Sequence, residues 1–135
     1  MPRRPTYRRY IQLAEFRFRL TRFLQFSEGA ARECGISSLQ YVALLHVRAF
    51  DAACGMSIGE LAGRMLASHQ ATAALVQRCE VLDLLHKRRS RQDARRVELR
   101  LTPRGRFLLE RLATRHLREL KRLDAVIHSA AVTRT

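Results

Sequence analysis

Apolar residues recur at three- and four-residue spacing in the first quarter of the chain. This pattern predicts an amphipathic helix over about residues 5–33. Positions on its apolar face include Tyr7, Tyr10, Ile11, Ala14 and Phe18. Gly35 ends this helix, and Ser37 or Ser38 caps a second one over roughly residues 39–49.

Two further helices are predicted in the middle of the chain. Ser57 has Glu60 three residues later, which is the spacing of a capping box and predicts a short helix. Ser68 caps another helix that extends to about Leu84. Because only residues 66–67 separate the two, they form a helix-turn-helix, whose second helix can enter a DNA major groove.

The period then changes from about 3.6 residues to two. In the segment HKRRSRQDARRVELRLT, residues 86–102, a run rich in arginine precedes the alternating sequence VELRLT, which predicts a β-hairpin with a basic tip. Thr102 caps a last helix that has Pro103 at its first position. The predicted fold is mainly α with one small β-hairpin. It is a winged helix-turn-helix between long terminal helices.

The chain has no linker or repeat, so we expect a single domain over residues 1–135. Within it, the winged helix-turn-helix occupies about residues 38–102, and the terminal helices occupy about residues 5–34 and 103–130.

The charge of the chain narrows the choice of partners. Lys and Arg outnumber Asp and Glu by 26 to 12, for a formal net charge of +14. This excess favours a polyanion as partner, either nucleic acid or an anionic membrane surface. No apolar run reaches the length of a membrane span, and the start MPRRPTYRRYIQ lacks the apolar segment of a signal peptide, so we expect a cytoplasmic protein.

Several kinds of chemistry have no support in the sequence. The three cysteines, Cys34, Cys54 and Cys79, are widely spaced and are expected to be reduced thiols. Histidines, cysteines and carboxylates form no close cluster, and there is no Gly-rich phosphate loop or nucleophile-and-base arrangement. We therefore predict no metal, no cofactor and no enzymatic activity.

The segment DARRVELRLTPRG, residues 93–105, resembles the wing of MarR-family bacterial transcriptional regulators, in which Asp-x-Arg precedes an alternating strand and Leu-Thr-x-x-Gly. SIGELAGRML and LVQRCEVLDLL resemble the two helices of the family's DNA-binding motif, so the resemblance extends over about residues 35–112. It implies a nucleoid-associated homodimer, held by its terminal helices, that binds palindromic double-stranded DNA and usually represses transcription. In many members a phenolic or other aromatic effector releases the DNA.

The predicted DNA contacts lie on the wing and on the second helix of the motif. Arg95 is expected to enter the minor groove, and Asp93 to hold its guanidinium by a charge-assisted hydrogen bond. Gln70 can bond adenine in the major groove. The other predicted contacts are Arg88, Arg89, Arg91 and Arg96 on the wing and Ser68, His69, Thr72 and Gln77 on the helix. The alternative is that these residues only solvate the surface.

Tyr10, Phe18 and Tyr41 are the candidates for an effector pocket, although aromatic residues of the first helix also suit a dimer core. The leading prediction is a sequence-specific regulator, a repressor released by an aromatic effector. The alternative is an architectural DNA-binding protein of weak specificity. Ala73 and Ala74 favour it, because they stand where the family often has Ser or Thr and Arg and offer no hydrogen bonds to bases.

Overall fold

The computed structural model describes residues 1–52 and 55–132, with side chains up to residue 125. The prediction for Cys54 lies outside the described residues. The elements follow in the order α1 (Tyr7–Glu33), α2 (Ser38–Ala49), α3 (Ile58–Met65), α4 (His69–Val81), β1 (Leu85–Arg89), β2 (Val97–Leu101) and α5 (Pro103–Val132). This order confirms the predicted mainly helical fold with one hairpin.

Local contacts at the helix ends explain why the first two helices begin and end where the sequence indicates. Gly35 has φ +81°, and the N–H of Ile36 beyond it donates to the carbonyl of Ala31 at 3.1 Å, which closes the end of α1. Ser37 and Gln40 form a capping box at the start of α2, with both reciprocal hydrogen bonds present.

The helix-turn-helix consists of α3 and α4, and a serine caps each helix. Ser57 Oγ accepts the N–H of Glu60 at 3.2 Å, and Ser68 Oγ accepts the N–H of Ala71 at 3.1 Å. The second helix ends at Val81, three residues before the predicted Leu84. It ends there because Asp83 is left-handed, with φ +56°, and turns the chain into β1.

The hydrophobic core lies where α2, α3, α4, the hairpin and α5 meet. The two strands pair antiparallel from Leu85 opposite Leu101 to Arg89 opposite Val97. Fully buried aliphatic side chains from every one of these elements fill the core, among them Leu44, Leu61, Val76, Leu85, Leu99 and Leu112. The wing, which we define as β1, β2 and the loop 90–96, is thus anchored at its base and projects at its tip.

The turn after α4 is clamped to the start of α5. Thr102 donates its N–H to the carbonyl of Leu84 at 3.1 Å and its hydroxyl to the carbonyl of Asp83 at 2.6 Å. The Thr102 hydroxyl oxygen also accepts the N–H of Gly105 at 3.0 Å, which caps α5. A Cβ on Gly105 would lie 2.1 Å from the Leu84 oxygen, so only glycine allows this approach. The Leu-Thr-x-x-Gly motif is therefore structural.

Gly105→Ala should lower the free energy of unfolding by about 1–3 kcal/mol, because the new methyl group must displace the backbone of the turn. Urea unfolding followed by circular dichroism measures the change. Gly63→Ala is the matched control, since a Cβ there meets no atom within 4 Å. In that helical position it should stabilise by about 0.5–1 kcal/mol. Equal effects of the two substitutions would contradict the clamp.

Candidate nucleic-acid interface

Fewer residues are exposed on the outward face of α4 than the sequence predicted. Gln70, Ala74 and Gln77 follow it at i, i+4 and i+7 and are exposed. Ser68 and His69 are exposed at its first turn, although Ser68 is already used as the helix cap. These positions can reach base edges or phosphates, and Ala74 can offer only a methyl contact.

Thr72 does not belong to this face, and its prediction as a DNA contact was wrong. It is 1% exposed and its hydroxyl donates to the carbonyl of Ser68 at 2.9 Å. Together with Leu75, Val76 and Cys79, it repeats every three or four residues on the buried side of α4. A threonine is small enough to lie in this core once its hydroxyl bonds within the helix.

The tip of the wing is held by side-chain oxygens that accept backbone N–H groups. Ser90 Oγ accepts from Gln92 at 3.2 Å and from Asp93 at 3.3 Å. Asp93 Oδ1 accepts the backbone N–H of Arg95 at 3.0 Å, which is an Asx-turn. We expected the carboxylate to hold the guanidinium of Arg95. It holds the backbone amide instead, because a short side chain reaches the amide two residues ahead more directly.

The arginines of the wing fall into two groups. Arg89, Arg91 and Arg95 are exposed, and no ion pair or hydrogen bond holds their guanidinium groups within the described part of the chain. Arg88 pairs with Glu98 at 3.1 Å. Arg96 pairs with Glu60 and donates to the carbonyl of Gly55 at 3.0 Å, so it ties the wing to the start of α3 rather than extending toward a ligand.

A buried ion-pair network at the base of the wing was missed at the sequence level. The Glu98 side chain, 3% exposed, pairs with Arg100 at 3.0 Å as well as with Arg88. Arg100 also pairs with Asp51, which accepts from Arg106 of α5 at 2.9 Å. Burial alone would raise the pKa of Glu98, but hydrogen bonds from Arg100 and Arg88 outweigh it and lower that pKa. The carboxylate is therefore ionised when the wing is formed.

Val97 and Glu98 depart from the alternation of buried apolar and exposed polar residues that is typical of a half-buried strand. Val97 is 45% exposed, whereas the neighbouring Glu98 is 2% exposed. The reason is tertiary: Leu99 donates its N–H to Met56 at 2.7 Å, which adds a bridge to the strand. Gly55 beside it leaves space that a Cβ would fill, 2.5 Å from the Glu98 carboxylate.

A cavity of about 400 Å³ lies between α1, α2 and α5. Its lining is almost wholly apolar and comprises Phe23, Leu24, Ser27, Tyr41, Val42, Leu45, Ala113, His116, Leu117 and Leu120. His116 donates from Nδ1 to the carbonyl of Leu112 at 2.7 Å, contacts Ser27 Oγ through Nε2 at 2.7 Å and stacks on Tyr41. The volume and lining suit a small apolar or aromatic ligand.

Of the three residues predicted for an effector pocket, the structure places one at this cavity. Tyr41 lines it. Tyr10 and Phe18 are 57% and 54% exposed and lie elsewhere on α1. Tyr10 lies roughly 20 Å along the helix from Phe23, which does line the cavity, and Phe18 stands roughly 140° around the helix from Phe23, so neither reaches the cavity.

The lobe that carries the wing matches a known protein family. Residues 35–96 match the model of the MarR family. The match covers less than half of the chain, and through this lobe the chain is similar to the MarR family. Proteins of this family are DNA-binding transcriptional regulators, and the matched region of this chain contains α2, α3, α4 and β1. None of the curated proteins matches the chain in sequence.

Solved structures of the family share the fold. A MarR family protein from Bacillus stearothermophilus superposes with a TM-score of 0.73 at 21% identity, over 96% of this chain and 94% of that one. Staphylococcus aureus MepR in complex with DNA gives 0.68 at 18% identity, over 90% and 85% of the two chains. MepR bound to ethidium bromide gives 0.61 at 17% identity, over 93% and 83%.

Two further properties concern the described residues alone. No helix among them is long and apolar enough to cross a membrane. No group of three or more histidine, cysteine or acidic side chains among them is placed to hold a metal ion.

One departure from the MarR pattern is accommodated by the backbone: Asp83 adopts the left-handed conformation that glycine commonly supplies at this position.

The Asx-turn at Asp93 leads to a prediction in which the loss of negative charge and the loss of a hydrogen bond have opposite effects on DNA affinity. Asp93→Ala removes a negative charge but frees the Arg95 amide, so we expect DNA affinity to fall about two- to tenfold, the value of one hydrogen bond. Fluorescence anisotropy with a labelled duplex measures it. Asp93→Asn keeps an oxygen acceptor without the charge, and should bind as tightly as the wild type or more tightly.

Arg95→Ala is the comparison variant for Asp93→Ala, because it removes a predicted contact to DNA. It should weaken binding to every duplex, most of all on A·T-rich flanks, and reduce the salt slope by about one unit per subunit. Tighter binding by Asp93→Ala than by the wild type would show that the aspartate does not shape the wing.

Proposed function

We propose that this protein is a homodimeric regulator that binds a palindromic double-stranded operator, with α4 in the major groove and the wing in the adjacent minor groove. The observation that carries the proposal is the arrangement of the lobe. One lobe combines an exposed face with Gln70 and Gln77 and a wing tip with the free arginines Arg89, Arg91 and Arg95, whose loop is held by Ser90 and Asp93.

The terminal helices support dimerisation. Large apolar side chains of α1 that do not line the cavity are more than half exposed in the single chain, namely Tyr7, Tyr10, Ile11, Leu13 and Phe18, and Phe107 of α5 is likewise exposed. A patch of this extent indicates an interface with another molecule. A second copy is the simplest occupant, since a two-fold dimer presents two identical lobes to a palindrome. We place this dimer in the bacterial cytoplasm, at the nucleoid.

Selection of bound duplexes from a random pool, followed by footprinting, tests this function. We expect a palindrome whose half-sites lie about one helical turn, roughly 34 Å, apart. Inserting about five base pairs between the half-sites should abolish tight binding, because it rotates one site to the opposite side of the duplex. Substitutions of the spacer at constant length are the control and should have little effect.

A second candidate function is architectural binding of low specificity. Ala73 and Ala74 favour it, since the middle of α4 offers no hydrogen bond to a base. The same selection separates the two functions. A regulator prefers one palindrome over random duplex by several orders of magnitude, whereas an architectural protein enriches no defined site.

We further propose that binding of a small aromatic effector in the cavity releases the operator, so that the protein acts as a repressor. The cavity supports this because α1 and α5 line it together with α2, which packs on the DNA-binding lobe. A ligand that moves α2 relative to the terminal helices would change the distance between the two lobes of a dimer. The complex of MepR with ethidium bromide shows an aromatic ligand on a protein of this fold.

Ala113→Leu should reduce the affinity for aromatic effectors at least tenfold, because the larger side chain occupies the cavity. Operator binding without effector should persist. Quenching of tyrosine fluorescence during titration with a panel of phenolic compounds measures effector affinity. Fluorescence anisotropy with a labelled duplex measures operator binding. Thr114→Leu places the same side chain one position along α5, outside the cavity lining, and should leave effector binding unchanged. Equal loss in both variants would contradict the assignment.

A further inference from the structure

The excess of positive charge lies mainly outside the winged lobe. Residues 35–102 carry ten Lys or Arg against six Asp or Glu. Residues 1–34 and 103–135 each carry eight against three. Ten of the fourteen surplus charges therefore belong to the terminal segments. Contact between the wing and DNA does not account for them.

Five arginines of α5 form a continuous line, which we call the α5 arginine stripe. Its members are Arg104, Arg111, Arg115, Arg118 and Arg122. Their spacing of seven, four, three and four residues keeps them within roughly 60° of arc over a length of roughly 27 Å. The stripe lies roughly 120° around the helix from the buried side chains of Leu109, Leu112 and His116, so it faces solvent.

Helix α1 extends this basic surface. Arg19 and Arg22 line one cleft with Arg122, between the two terminal helices. Carboxylates at the margin each neutralise one arginine: Glu15 pairs with Arg19 at 3.0 Å, Glu33 with Arg115 at 2.9 Å and Glu119 with Arg122 at 3.4 Å. These exposed pairs are weak and readily exchanged for a phosphate. Within the described residues, Arg104 and Arg118 have no such partner.

We propose that the α5 arginine stripe, together with Arg19 and Arg22, binds a second DNA duplex, so that a protein seated on one duplex through its winged lobes can hold another. Guanidinium groups match phosphate oxygens in a bidentate geometry that lysine lacks, and these positions are all arginine. The inference goes beyond the proposed regulator. It does not depend on operator specificity, since backbone contacts are independent of sequence.

A duplex fits this surface better than a membrane does. A helix that binds a membrane inserts apolar side chains alongside its charged ones. The exposed apolar residues Leu117 and Leu120 lie roughly 160° from the stripe, on the cavity side of α5. Among the exposed large apolar residues of the described part of α5, only Phe107 lies near the stripe, roughly 50° from its centre and under the Arg111 guanidinium. A membrane resting on the stripe would gain charge contacts and one apolar side chain, whereas a duplex needs only the charge contacts.

Capture of a second duplex tests the inference. Full-length protein is saturated with a bead-bound duplex, and a fluorescent duplex of unrelated sequence is then offered over a range of salt concentrations. The wild type should retain it. Arg111→Gln/Arg118→Gln/Arg122→Gln should reduce capture at least tenfold and lower the salt slope by about one unit per arginine removed. Affinity for the first duplex, measured by anisotropy, should change less than threefold.

The matched control removes the same charge from other faces of α1, as Arg9→Gln/Arg17→Gln/Arg32→Gln, and should leave capture within twofold. Four outcomes overturn the inference. The wild type captures no second duplex, or both triple variants lose capture equally, which indicates bulk charge. Alternatively, Arg95→Ala abolishes capture and the stripe variant does not, which places the second duplex on a winged lobe. Retention of phosphatidylglycerol vesicles in place of duplex would also overturn it and identify a membrane surface.

Discussion

The packing of the turn at Asp83 and Leu84 against Thr102 and Gly105 is the contact on which the rest of the structure depends. Leu84 immediately precedes the first wing strand, and Thr102 immediately follows the second, so this contact joins the end of α4, the base of the wing and the start of α5. The carbonyl of Leu84 lies where a Cβ on Gly105 would be. The orientation of α4 and the wing relative to α5 is therefore set by one backbone approach that only glycine permits.

The few carboxylates of the lobe serve to place arginines and amides. Asp51 and Glu98 hold Arg100 at the base of the wing, and Glu60 holds Arg96 against α3. Asp93 holds an amide at the tip. Negative charge near a DNA surface costs affinity by simple electrostatics. Here that charge orients the loop, and the arginines nearest the tip keep their guanidinium groups free of intramolecular partners within the described residues.

Different sides of helix α5 make different contacts. One side packs in the core through Leu109 and Leu112, the next lines the cavity through Ala113 and Leu117, and the third carries the arginine stripe. His116 stands between the core and the cavity, with both ring nitrogens engaged by Leu112 and Ser27. The helix that lines the cavity is thus the same one that begins at the Thr102 clamp, at the base of the wing.

The sequence by itself determined the order of the elements and the ends of the helices. Gly35 and the caps Ser37, Ser57, Ser68 and Thr102 depend on hydrogen bonds between residues at most four or five positions apart, which a local pattern reveals.

Only the tertiary structure determined which of the predicted site residues are exposed or line the cavity. Thr72 lies in the core, Glu98 is buried while Val97 beside it is exposed, and Tyr10 and Phe18 lie away from the cavity. Arg96 and Arg100 were drawn to partners 41 and 49 residues away. Contacts at such separations depend on how the elements pack and on the rotation of each helix about its axis, and no spacing within the chain encodes that rotation closely enough.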